Sequence, residues 1–423
     1  MRSHESYIWP RSWRTVMVVC VASVALAVPP ASAATPSAGS AATVGSVGSA
    51  ARPNHDDAAL RTALQAVVDA GATGAVALVD DGEDVSGVAV GAARLDPRQP
   101  MLVGDQVRVG SITKTVIATI AVQLVGEGRL HLGDTVQRWL PGAVPNGSAI
   151  TIRMLLNHTS GIFDYTDDAD FFASVLADPY RYWSPQELVA VANAHPPLFA
   201  PGQGWSYSNT GYILIGLVLE KVTGQPVEDL VSQRVVRPLH LNSTFFATSA
   251  RFRGPYAHGY APPSITGSGY LDTSSWPPSW AWAAGALVSN AADLARLYRA
   301  LLSGRLLSPP LMQAMTTTVD TGLGYRYGLG IYTRETPCGT VWGHDGNIPG
   351  YVSIALNDRT GSRRAVVLVP TQPDEDIAAA FEAAVTTAVC QMFDRDPSVA
   401  SSSVGASTMA RRPLPARQQA PSL

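Results

Sequence analysis

The strand-forming stretches of this chain lie at the two ends of its apolar region, and the helical stretches lie between them. TGAVALVDDG (73–82) and VSGVAVGAARL (85–95) read as a hairpin turning at Asp-Gly. Far along the chain, YVSIALNDRTGSRRAVVLVPT (351–371) reads as two more strands, followed by a helical run over 375–393. Helical periodicity marks 111–126, 185–194, 210–223 and 291–303, the last with Asn290 as its cap and Asp293 in its first turn. Such an order restricts the fold to one sheet closed by both ends, with a helical region inserted. The predicted class is α+β, an antiparallel sheet flanked by helices.

The first 33 residues read as a signal peptide. Arg2, Arg11 and Arg14 precede the short apolar run VMVVCVASVALAV (16–28), and Ala31-Ser32-Ala33 supplies a cleavage site. The run is short for a membrane span and ends at Pro29-Pro30, so the expectation is secretion with no stable span after cleavage. Residues 34–57 and 395–423 are Ser/Ala/Gly-rich and read as a flexible linker and a low-complexity tail, leaving one domain over 58–394. Cys338 and Cys390, an even pair in an exported chain, read as a disulfide. A net charge of −3 with 15% charged residues gives no electrostatic footprint for nucleic acid.

Among 30 Lys plus Arg, only Lys114 and Lys221 are lysines. Lys114 stands three residues after Ser111, on the same face of a buried helix. Serine needs a neighbouring base to act as a nucleophile. Arginine does not lose its proton in proteins, whereas a desolvated lysine does. The pair is therefore a candidate for proton chemistry, against the plainer reading of a helix-start serine beside a buried lysine.

Two further stretches carry the same suggestion. In FAPGQGWSYSNTGY, Tyr207 can relay a proton and Asn209 can bind a substrate amide, or else the two are a packed tyrosine and a helix cap, Asn209 or Thr210. In GHDGNIPGY, Gly343, Gly346 and Gly350 suit a strand that a ligand approaches, and His344 offers a tunable positive charge. The strand period places Asp345 and Asn347 on one face.

S-x-x-K, then Y-x-N, then H-x-G, in this order, resembles the penicillin-recognising serine enzymes, in particular the secreted D-alanyl-D-alanine carboxypeptidase and class C β-lactamase branch. LLNHTSGIFDY (155–165), SWAWAAGALVSNAADLARL (279–297) and YGLGI (327–331) are similar as well, and the Cys338/Cys390 pair resembles a disulfide of that branch. The resemblance implies a β-lactamase/transpeptidase-like fold and acyl transfer through Ser111, with Lys114 and Tyr207 sharing the proton work. It implies an oxyanion hole from the N–H groups of Ser111 and Asn347, and a cleft bearing Asn209, Trp280, His344, Asp345 and Gly346. No cofactor or metal is implied. A monomer acting on a peptidoglycan peptide or small acyl substrate, and binding β-lactams covalently, is expected.

Two departures bear on specificity. Asp345 and Asn347 stand where the branch usually has threonines that receive a substrate carboxylate. Tyr332 stands where a carboxylate-binding arginine is expected, the nearest alternatives being Arg326 and Arg334. The readings are ordered as carboxypeptidase, then esterase or D-aminopeptidase/amidase, then β-lactamase, then a non-catalytic binding module. The region has no G-x-S-x-G elbow, no H-E-x-x-H and no nucleotide-binding loop.

Overall fold

The computed structural model describes residues 56–395; the leader, most of the linker and the tail lie outside them. Nine strands form one antiparallel sheet. They are β1 (Gly74–Asp80), β2 (Val85–Leu95), β3 (Arg98–Pro100), β4 (Val319–Asp320), β5 (Arg326–Tyr327), β6 (Tyr332–Thr336), β7 (Gly339–Ile348), β8 (Tyr351–Asn357) and β9 (Arg364–Val369). Their order is β3-β2-β1-β9-β8-β7-β6-β5-β4, so β1 pairs with β9 and the two ends of the domain close the sheet as expected. The long excursion between β3 and β4 holds most of the helices.

Among the described residues eight helices have eight residues or more, and six of them bear on the site and its frame: α1 (Asp56–Asp69), α2 (Thr113–Gly126), α3 (Pro185–Asn193), α4 (Asn209–Thr223), α5 (Ala291–Leu302) and α6 (Glu375–Met392). Strand alternation divides the core. Ala75, Ala77 and Val79 of β1 pack with Val352, Ile354 and Val367 against α1 and α6. Val76 and Leu78 face the other way, into the core shared with α2 and α5. α1 starts at Asp56, within the span read as linker. Asn290 caps α5 by accepting from the Asp293 N–H at 2.9 Å, as predicted.

Ser86 donates to the Asp57 carboxylate at the start of α1, and Arg363 donates to the Met392 carbonyl at the end of α6. Both ends of the domain therefore meet at the edge of the sheet where β2 and β9 begin. Cys338 and Cys390 are bonded there, with Cα atoms 5.0 Å apart and a sequence separation of 52. Closing a loop of that length stabilises by about 4 kcal/mol on the chain-entropy account. Reduction without denaturant should lower the melting temperature by several degrees; an unchanged melting curve would show that the bond constrains nothing. Among the described residues no helix is long and apolar enough to cross a membrane.

Candidate active site

Ser111 lies in a 3-10 turn, Gly110–Ile112, which runs directly into α2. That helix is apolar around most of its circumference and buried, which holds the turn rigidly beneath the cleft. Gly110 adopts φ +48°, and a Cβ there would stand 3.0 Å from the Asn347 nitrogen. Only glycine brings the two backbones so close. The contact sets the Ser111 backbone beside that of Asn347, the pair expected to form the oxyanion hole.

Lys114 is fully buried. Its Nζ lies 2.9 Å from Ser111 Oγ, 2.7 Å from Asn209 Oδ1 and 2.9 Å from the Ala284 carbonyl. Burial lowers its pKa to about 7, with Asp164 and Asp345 acting in the opposite direction. A neutral amine has two hydrogens and one lone pair. The Asn209 oxygen and the Ala284 carbonyl can only accept, so they take the hydrogens and the lone pair is left for the Ser111 hydroxyl. Tyr207 is held differently: burial raises its phenol well above the ordinary value, a hydrogen bond with Ser111 opposing. It stays protonated near neutrality. Lys114 is thus the group suited to take the serine proton, and Tyr207 the group suited to relay one to a leaving atom.

The Asn209 amide is engaged from both sides. Its Nδ2 donates to Asp164 Oδ2 at 2.9 Å and to Thr166 Oγ1 at 3.1 Å, while its oxygen accepts from Lys114. It lines the cleft, but these contacts make it a support for the lysine rather than a free binder of substrate amide. It does not cap α4 with its side chain, nor does Thr210, whose hydroxyl donates to the Phe163 carbonyl. Asp164 does so from another segment, accepting from the Asn209 N–H at 3.0 Å.

His344 corrects an expectation. It is buried, and burial lowers its pKa to about 4, so it carries no positive charge near neutral pH. Its Nδ1 lies 2.6 Å from the Asp345 carbonyl, an acceptor only, and its Nε2 lies 2.8 Å from the Tyr327 hydroxyl. Nδ1 therefore bears the hydrogen and Nε2 accepts from Tyr327. Gly346 is corrected too, for it does not line the cleft: a Cβ there would fall 2.0 Å from the Val109 carbonyl oxygen. It is glycine so that β7 can press against the segment leading to Ser111. His344, Asp345, Asn347 and Trp280 line the cleft.

Sequence reasoning gave no role to His158, Asp164 or Tyr327. The His158 ring packs 4.3 Å from that of Tyr207 and accepts the Ser208 N–H on Nδ1 at 3.1 Å. Among these, His158 and Asp164 stand in the LLNHTSGIFDY stretch, where a lone acid and a lone histidine in an apolar run were the available signals.

The cleft holds about 690 Å³. Its lining combines apolar residues, Phe172, Ile265, Trp280, Leu323 and Tyr325, with the carboxyl groups of Asp164, Asp167, Asp345, Asp374, Glu375 and Asp376. Among the described residues no arginine belongs to the lining. Arg334 pairs with Glu382 at 3.5 Å, and Arg326 bonds Thr318.

The beta-lactamase family model matches residues 60–388. The chain belongs to that family. Its fold is the β-lactamase/transpeptidase one, and its relatives are serine hydrolases that include esterases, amidases and peptidases. A solved D-stereospecific amidohydrolase from Streptomyces sp. is 41% identical, with TM-score 0.71, covering 77% of this chain and 97% of that one. D-amino acid amidase from Ochrobactrum anthropi SV3, solved with L-phenylalanine amide, is 28% identical at TM-score 0.71, covering 81% and 99%. Penicillin-binding protein 4* of Bacillus subtilis (strain 168) is 28% identical over 324 residues, 72% of this chain and 68% of its own. The matched span takes in Ser111, Lys114 and Tyr207.

Proposed function

We propose that this serine hydrolase cleaves small amides or esters whose acyl group bears a free amine and an apolar side chain, of D configuration, and that it is exported. The observation that carries the reading is the cleft wall: six carboxylates and no arginine. A carboxylate-terminated peptide would meet Asp345 where it needs a cation, and like charges at a desolvated site cost several kcal/mol. An ammonium group would be attracted there instead. The apolar lining residues Phe172, Trp280 and Leu323 suit a hydrophobic side chain. Similarity to proteins named D-stereospecific amidohydrolase and D-amino acid amidase supports the D configuration. The carboxypeptidase reading, first on sequence grounds, becomes the second, and covalent β-lactam binding weakens with it because penicillins also present a carboxylate.

In this reading Ser111 Oγ attacks the acyl carbon as Lys114 takes its proton. Tyr207 passes a proton to the leaving nitrogen or oxygen, and water then releases the acid from the ester. The test compares D-phenylalanine amide, its L form, its N-acetyl form and an N-acylated D-alanyl-D-alanine peptide. The D-amide should be preferred over the other three by at least about tenfold in kcat/KM, a difference of about 1.4 kcal/mol. Faster release of alanine from the peptide would restore the carboxypeptidase.

A further inference from the structure

We propose that Asp164 is a positioning residue that aims the Lys114 lone pair at Ser111 by fixing which way the Asn209 amide faces. The assignment concerns the base alone and does not depend on which substrate the cleft takes. An asparagine amide is nearly symmetric in shape, and either end can be turned toward a lysine. A neutral lysine accepts as well as donates. With the NH₂ end turned inward, Asn209 would donate to the lone pair and occupy the very orbital that must receive the serine proton.

Asp164 excludes that state. Its Oδ2 accepts from both the backbone N–H and the Nδ2 of Asn209, at 3.0 and 2.9 Å, so the amide nitrogen is drawn away from the lysine. Its Oδ1 is held in turn by the Thr166 N–H and hydroxyl, at 3.0 and 2.9 Å. Thr166 Oγ1 is a second acceptor for Nδ2 at 3.1 Å. The carboxylate is 4% exposed and has little freedom to rearrange. A chain of acceptors thus runs from Asp164 through Asn209 to Lys114 and ends on Ser111, with each hydrogen committed.

Asp164 also acts through its charge. The groups that face Lys114 are Asp164, Asp345, His158, His344, Tyr207 and Tyr212. Burial lowers both histidines and raises Tyr207 and Tyr212, and it raises the Asp164 carboxyl as well; the charges of Asp164 and Asp345 are what raise the lysine against its own burial. Removing one of them lowers the lysine pKa and moves the acidic limb of the rate profile to lower pH.

The experiment follows nitrophenol release from 4-nitrophenyl acetate, an ester without an amine, against pH. Asp164→Ala removes the acceptor and should lower kcat on the order of 10²-fold while KM stays within about twofold. Asp164→Asn can keep an oxygen toward Asn209, so its main effect should be the acid shift of the limb. Thr166→Val, which leaves the charge in place, should lower kcat severalfold without shifting the limb, and it decides the matter if the alanine variant does not fold. Unchanged kcat in the variants that fold, or a loss confined to KM, would overturn the assignment. Wild-type release no faster than that of Ser111→Ala would overturn it as well.

Discussion

Lys114→Arg should abolish acylation of Ser111, a loss on the order of 10⁴-fold or more in kcat/KM. The substitution keeps a cation at the position and removes the one property that matters, an amine that can release its proton near pH 7. The larger guanidinium would also have to fit among Ser111, Asn209 and the Ala284 carbonyl, three partners spaced for a single nitrogen. In the wild type, kcat/KM should rise with pH through about 7 and then level, because a lysine depressed to that value becomes free base as pH increases. A variant retaining a tenth of the activity with an unchanged profile would move the base elsewhere, to Tyr207 first. Melting curves of the two proteins distinguish lost chemistry from lost folding.

Gly346→Ala should be the second most damaging change, although the glycine touches no substrate. The new methyl carbon would stand 2.0 Å from the Val109 carbonyl oxygen and 2.8 Å from Ser353 Oγ. The hydroxyl can turn aside, but the carbonyl belongs to the backbone just before Gly110 and Ser111. Relief therefore requires β7 to part from the serine segment, which opens the spacing between the Ser111 and Asn347 N–H groups. Donors aimed at a developing oxyanion lose most of their effect when displaced by an ångström. A kcat loss on the order of 10²-fold is expected, together with destabilisation of about 3 kcal/mol from overpacking. Binding of a D-amino acid amide, measured on a Ser111→Ala background, should change far less. Full activity in the alanine variant would mean that the two backbones can separate without consequence.

The sequence announced the parts of this molecule whose physics is local. Alternation in β1 and β2, the Asn290 cap and the Ser111–Lys114 spacing all follow from neighbours a few residues apart. The pairing of β1 with β9 was legible because strands at both ends had few other partners. Residues β4 to β6, some only two residues long, carry too little pattern to be read. The charge of His344 was misread because residue type gives a titration range, while burial decides where in that range the group lies. Gly346 was misread for a similar reason: a strand glycine signals a close approach, but the sequence does not say whether a ligand or the chain itself comes near. Nor could any motif reveal the third partner of Lys114, since a backbone carbonyl at Ala284 has no residue signature.

The meeting of α1 and α6 at the far edge of the sheet bears on how the molecule can be mounted. Asp57 beside Ser86, and Met392 beside Arg363, put both ends of the described domain at the edge where β2 and β9 start. Asn347, Ile348 and Asp374 of the mouth lie at the opposite edge, where β7 ends and α6 begins. A bead, an electrode or a fusion partner joined directly at either end of this domain, beside Asp57 or Met392, would hold the enzyme with its opening turned outward, toward whatever the surrounding liquid brings.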